Sequence, residues 1–345
     1  MSRRSAKHAV TISVALAAVT LTACSGTAAT QGMATQPARE DGQGAVLCGG
    51  SPEVPVSTAS GLRAALEAAR PGETISLAPG TYNGDFEAAA SGTMSAPITL
   101  CGPRSAVLEG ESITSGYTLY LDHASYWRVA GFTVEGGQKG IVTDSADYDV
   151  LSGLSVSGTG DEAIHLRDFS SHDTVSHNVI RDTGLHVAFY GEGIYVGSAH
   201  KNWCQYSGCQ PDASDDDILA GNDIANTTAE NIDIKEGTTG GTITGNHLNG
   251  TGMVSSAATS WINVKGNDWT ITGNTGTDSI GNGFSVHQVY PGWGLGNVFQ
   301  ANVITVNGPG YGIFVQNKRL KTVVYCGNKV TGAQSGFSNI ACTPG

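Results

Sequence analysis

Charge is scarce in this chain. Only 14% of its 345 residues are Asp, Glu, Lys or Arg, roughly half the usual share, which leaves little for long solvated helices. Basic residues are scarcer still, with 18 Lys and Arg against 30 Asp and Glu. Setting aside Arg3, Arg4 and Lys7 of the leader leaves 15 basic residues and a net charge of −15. Phosphate recognition needs a basic face, so nucleic acid is excluded as a partner. Acidic sugars are not excluded, because a bound divalent cation inverts the local field. Proline is also rare, at 11 residues, and the 48 glycines follow no three-residue period, which rules out collagen. With 39% apolar residues the chain can bury a core and is not disordered. What remains is a β-rich chain with many tight turns.

The start of the chain reads as an export signal: basic MSRRSAKH, apolar AVTISVALAAVTL, then Leu21-Thr22-Ala23-Cys24. The apolar run is short for a bilayer span. Its L-T-A-C ending resembles a bacterial lipoprotein signal, which implies removal of residues 1–23, lipidation of Cys24 and attachment to a membrane only through that lipid. An ordinary secretory peptide is the alternative. Residues 24–50 are small and polar and read as a flexible tether, leaving residues 51–345 as the folded domain. That domain, with the tether's end, holds Cys48, Cys101, Cys204, Cys209, Cys326 and Cys342. An even count in an exported chain suggests disulfides. Proximity in sequence favours Cys204–Cys209 and Cys326–Cys342 and leaves Cys48–Cys101. A zinc site lacks the usual C-x-x-C pairs.

Self-similarity decides the fold class. VAGFTV, LSGLSV, SHNVI, AGNDI, TGNHL, TGNTG, QANVI and CGNKV recur. Aligned on Gly131, Gly153, Asn178, Asn222, Asn246, Asn274, Asn302 and Asn328, they stand one coil of a parallel β-helix apart, except for a 44-residue step with room for one loop insertion. Stacked asparagines can bond one another and the adjacent turn. A second series, GIVTD, AIHLRD, GIYVGS, NIDIKE, WINVKG, GFSVHQ and GIFVQN, keeps step. Its alternation points Ile164, Ile194, Ile232 and Ile262 inward and His165, Tyr195, Asp233 and Asn263 outward. The spacing predicts an all-β, right-handed parallel β-helix. Residues 60–70, SGLRAALEAAR, place Leu62, Ala65, Leu66 and Ala69 on one helical face as an N-terminal cap. That stretch, with PGETISLAPGTY, APITL and YWRVAGFTV, resembles the opening of pectate-lyase-superfamily proteins, especially polysaccharide lyase families 6 and 9.

The outward face carries a polar stripe. Glu162, Glu192 and Glu230 precede successive strands, and Asp233 projects from the strand after Glu230. Stacked carboxylates repel unless a cation intervenes, and calcium suits Glu192, Glu230 and Asp233; Glu162 is read as splaying into water. Lys235 and Lys265 follow one coil apart, then His287. Lysines held side by side lower each other's pKa, which makes a base. Lys265 has no obvious acid beside it, whereas Lys235 has Asp233 and Glu236 as potential salt-bridge partners.

The run E-N-I-D-I-K at 230–235 resembles the calcium-binding turn of family 9 pectate lyases. The resemblance implies that Glu230 and Asp233 are ligands, that Glu192 supplies an upstream ligand and that Lys265 is the base. Glu230 departs from the family's aspartate, and Asn231 from its glycine. The implied activity is calcium-assisted β-elimination on an acidic, pectate-like polysaccharide by an exported, monomeric enzyme. Lys235, Arg167 and His287 would assist, and His165, Tyr195, Asn263, Trp203 and Trp293 would bind sugar. A β-helical glycoside hydrolase, a uronate epimerase and a non-catalytic carbohydrate-binding solenoid are the alternatives. Asp215, Asp216 and Asp217 are read as a solvated turn, and His172, His177, His186 and His247 as structural.

Overall fold

The computed structural model describes Cys48 and residues 52–345; Cys24 and the leader lie outside the described residues. Among the described residues, three sheets of 11, 10 and 10 strands run side by side, each strand bonding to its counterpart one coil on. The coils form a parallel β-helix. Inward positions stack like on like: Ile141, Ile164, Ile194, Ile232 and Ile262 are in register and fully buried. The β-branched side chains of this column are part of one continuous hydrophobic core.

The helix over Ala59–Ala68 starts where Thr58 accepts the Gly61 amide at 3.0 Å, a cap that satisfies one orphan donor of the first turn. Leu62 and Leu66 are buried against the first coil. All three expected disulfides are present, Cys48–Cys101, Cys204–Cys209 and Cys326–Cys342.

The asparagine ladder is continuous from Asn178 through Asn222, Asn246, Asn274 and Asn302 to Asn328. Each amide oxygen accepts both the backbone N–H and the side-chain N–H of the preceding rung at 2.9–3.1 Å. The alignment of the first two coils shifts by one residue. Asn178 accepts the amide of Leu154, so Leu154, not Gly153, holds the rung position. Gly153 instead aligns with His177, Gly221, Gly245, Gly273 and Ala301, all at positive φ. Glycine recurs there because the turn needs a left-handed residue just before the rung.

The 44-residue step contains two excursions rather than one, at 182–193 and 197–217, either side of the strand Ile194–Val196. The run 215–217 is also corrected: Asp217 is fully buried, not solvated. Its Oδ1 accepts the Asp173 amide at 2.8 Å, Asp173 accepts that of Asp149, and Asp149 that of Trp127. These buried aspartates form a second ladder.

Candidate active site

The ten-stranded sheet that carries the second sequence series supplies the site. Strand pairing places His165, Tyr195, Asp233, Asn263 and Ser285 in one outward column. The expected neighbours therefore meet. Glu192, Glu230 and Asp233 each offer an oxygen within 4.8 Å of the others, and all three are buried. Asp233 holds both lysines, Lys235 Nζ on Oδ2 and Lys265 Nζ on Oδ1, each at 2.5 Å. Lys265 thus has an acid after all. Strand alternation gives the column of a side chain, but the long lysine stem leans back one coil to the carboxylate.

Two ammonium groups on one carboxylate do not share their proton affinity evenly. Burial alone would raise the Asp233 carboxyl, but Lys235 and Lys265 outweigh it and hold it below the ordinary carboxylate value. Burial pushes the Lys265 ammonium down, and Lys235 adds to that against the pull of Asp233. Burial also disfavours the Lys235 ammonium, but Asp233, Tyr195 and Glu192 overcome it and drive its pKa well up. The pair is split: the Lys265 proton is held less tightly than usual and the Lys235 proton more tightly.

The remaining acids follow from what surrounds them. Glu162 is buried and paired with Lys139, not splayed into water. Glu192 has no lysine of its own; its Oε2 is buried without a hydrogen-bond partner, and burial with Glu162 nearby raises its pKa well above normal. Glu230 accepts the Asn263 amide at 3.0 Å. An orphaned carboxylate oxygen in a cluster of oxygen donors is the chemistry that fits a hard divalent cation. Since both oxygens of Asp233 already carry lysines, Glu192 and Glu230 would suit such a cation better than Asp233.

Other expected residues fall around this centre. Asn263 Oδ1 meets His287 Nδ1 at 2.8 Å, and burial beside Lys265 lowers the His287 pKa. His165 bonds the Gly197 carbonyl through Nε2 at 2.9 Å, and its Nδ1, without a hydrogen bond, lies 3.7 Å from Glu162 Oε1; burial beside Lys139 lowers its pKa well below the usual value. Tyr195 lies under Lys235, whose Nζ is 4.6 Å from the ring centroid, and burial holds its hydroxyl protonated. Arg167 is not at the groove surface. It is buried, grips Asp144 through two nitrogens at 2.6 and 2.8 Å, and is covered by Tyr206. Trp203 is buried with its indole N–H on the Ser198 carbonyl, and neither it nor Trp293 lines the groove. Trp203 instead packs on Tyr290 and His200, joining the insertion to the loop after His287.

The open groove above these residues has two compartments, of about 360 and about 350 Å³. One extends past Tyr195 and His165 to Lys139 and Tyr117; the other runs past Lys265 to His287. Phe189 and Tyr190 stand at its rim. They lie in an excursion that strand alternation does not describe, and no pattern in the sequence marks them.

No family model and no curated protein matches the sequence. Among solved structures, an alginate lyase from Paenibacillus sp. str. FPU-7 is 36% identical with a TM-score of 0.76, over 84% of this chain and 99% of that one. The pectate lyase Pel9A is 16% identical (TM-score 0.56, 78% and 72% covered). A rhamnogalacturonan lyase is 12% identical (TM-score 0.55, 79% and 80% covered). The last two likenesses are of fold alone.

Proposed function

Because the chain belongs to the polysaccharide lyases built on the pectate-lyase-like parallel β-helix, we propose that it cleaves an alginate-type polyuronate by β-elimination. The 36% identity to an alginate lyase favours alginate over the pectate-like substrate that the sequence suggests. The observation that carries the mechanism is the split lysine pair on Asp233 at the floor of an open groove. Two groups pushed apart in proton affinity are an acid and a base in waiting.

Lys265, the member whose proton is held less tightly, removes the C5 hydrogen of the uronate from its neutral form. As the C4–O bond breaks and the C4=C5 double bond forms, the Lys235 ammonium gives its proton to the departing oxygen. Asp233, in contact with both, keeps the two nitrogens together and offers a path by which the proton returns. The charge of Lys235, with Lys139 and Lys201 further along the groove, also favours the uronate carboxylate. The Tyr195 hydroxyl, held neutral beneath Lys235, is the second candidate donor. Glu192 and Glu230, with Asp233, would hold calcium, which would supply charge neutralisation of the uronate carboxylate and so acidify its C5 hydrogen. Asn263 and His287 hold one another beside Lys265 and support its orientation. Three disulfides support an exported protein.

Digestion of alginate, pectate and glucuronan tests this reading. Ultraviolet absorbance from a conjugated product, largest on alginate, is the expected result. New reducing ends without that absorbance would make the protein a hydrolase, and inversion at C5 without cleavage an epimerase.

A further inference from the structure

Phe189 and Tyr190 are 57% and 45% exposed at the rim of a groove whose floor is charged. Large exposed aromatics on a water-facing loop cost solvation unless a partner covers them. Among the described residues, only Phe189, Glu192 and Lys235 line both compartments of the groove. The phenyl ring therefore stands at the junction of the compartments, with the acid–base floor at the same point along the groove. The two rings sit 5.8 Å apart at 85° and present a corner rather than a flat patch.

The corner is held firmly. The excursion's first residues are tied back by bonds from Gly184, Leu185 and His186 to the carbonyls of Asp161, Thr159 and Gly160. Its neck closes where Gly184 and Gly191 pass one another; a Cβ at either would lie within 2 Å of Thr228 Oγ1. That hydroxyl donates to the Ala188 carbonyl at 2.8 Å, directly before the aromatic pair. Two glycines at one neck, with threonine filling the gap, fix the loop beside the groove instead of leaving it free to swing.

We infer that Phe189 and Tyr190 form a stacking platform for a pyranose ring of an acidic polysaccharide seated across Lys235. The apolar face of a sugar covers the phenyl ring, while its carboxylate and hydroxyls reach the charged floor. Aromatic planes suit this task because they bury area at little conformational cost. The platform holds the chain at the junction where the bond is cut, so it sets affinity and not the chemical step. This rests on the lyase reading for what occupies the groove.

The test measures affinity and turnover separately on the full protein. Phe189→Ala placed in the Lys265→Ala background is titrated calorimetrically with defined oligouronates, and the same substitution alone is assayed for kcat and KM. The expected result is about a tenfold loss of affinity and a matching rise in KM, with kcat within about twofold. Phe189→Trp restores both, which a purely structural role would not allow. Unchanged affinity, or a fall in kcat at constant KM, overturns the platform. Oligouronate bound through Phe189 but never cleaved by the wild-type protein overturns the lyase reading and leaves the platform standing. Failure of the parent to bind any oligouronate overturns both.

Discussion

At the residue scale, the site turns on how one carboxylate serves two lysines. The alternation of the sequence places Asp233, Lys235 and Lys265 on one face and one coil apart, and the structure brings all three together. What alternation does not give is where a long side chain ends, so the tie between Lys265 and Asp233 and that between Glu162 and Lys139 are invisible before the coils are stacked. Burial of Arg167 is hidden for the same reason: its partner Asp144 lies one coil back. The split pair predicts a bell-shaped dependence of kcat/KM on pH. The rising limb reports Lys265, lowered below its usual ~10.4 by burial and Lys235, with Asp233 opposing and Glu230 nearby. The falling limb reports Lys235, raised by Asp233, Tyr195 and Glu192. Lys265→Ala should remove the rising limb and Lys235→Ala the falling one. Glu192→Gln should raise the calcium needed for half-maximal activity by about tenfold or more, checked by titrating calcium into chelated enzyme; activity indifferent to chelation would remove calcium from the account.

At the scale of elements, the ladders hold the coils in register. The asparagine column is legible because asparagine recurs at one place in the repeat, although Leu154 shows that an apolar residue can occupy a rung. Asn246→Ala should destabilise the fold by about 1–3 kcal/mol, since the Asn222 amide loses its acceptor inside the coil. The aspartate column is harder to read because it has only three members, Asp149, Asp173 and Asp217, against six asparagines in the other ladder. Each aspartate has one buried oxygen without a partner, and burial, with the neighbouring carboxylates, raises the Asp173 pKa well above normal. A raised folded-state pKa means the folded protein holds the proton more tightly than the unfolded chain. The group therefore costs nothing below its unfolded value near ~3.9 and destabilises increasingly as pH rises toward its folded value. Asp173→Asn should raise the melting temperature at neutral pH, where Asp147, Asp149 and Asp217 crowd it, and should gain nothing in acid. Asn297 already fills this role further along, accepting the Trp269 amide and donating to the Gly266 carbonyl.

At the scale of the whole molecule, the solenoid turns residues far apart in sequence into a single groove, and the sequence announces this through its repeat. The repeat predicts the coil and the polar stripe, because both depend on spacing alone, while the disulfides follow from the even cysteine count and proximity in sequence. The groove's rim belongs to excursions without a period, which is why Phe189 and Tyr190 have no sequence signal and Trp203 turns out to be packing. The lipid anchor that the L-T-A-C ending implies is tested at this scale too: Cys24→Ser should release the protein from membranes into the soluble fraction without changing its melting temperature. The central claim, that Lys265 and Lys235 act as base and acid on one uronate, is tested most directly by single-turnover rates of the two alanine variants on alginate at saturating enzyme. Each variant should lose about a hundredfold or more in the rate of double-bond formation while its affinity for the polymer stays within about tenfold. A variant that keeps more than about a tenth of the wild-type rate would contradict the role assigned to that lysine, and for Lys235 would pass the proton donation to Tyr195.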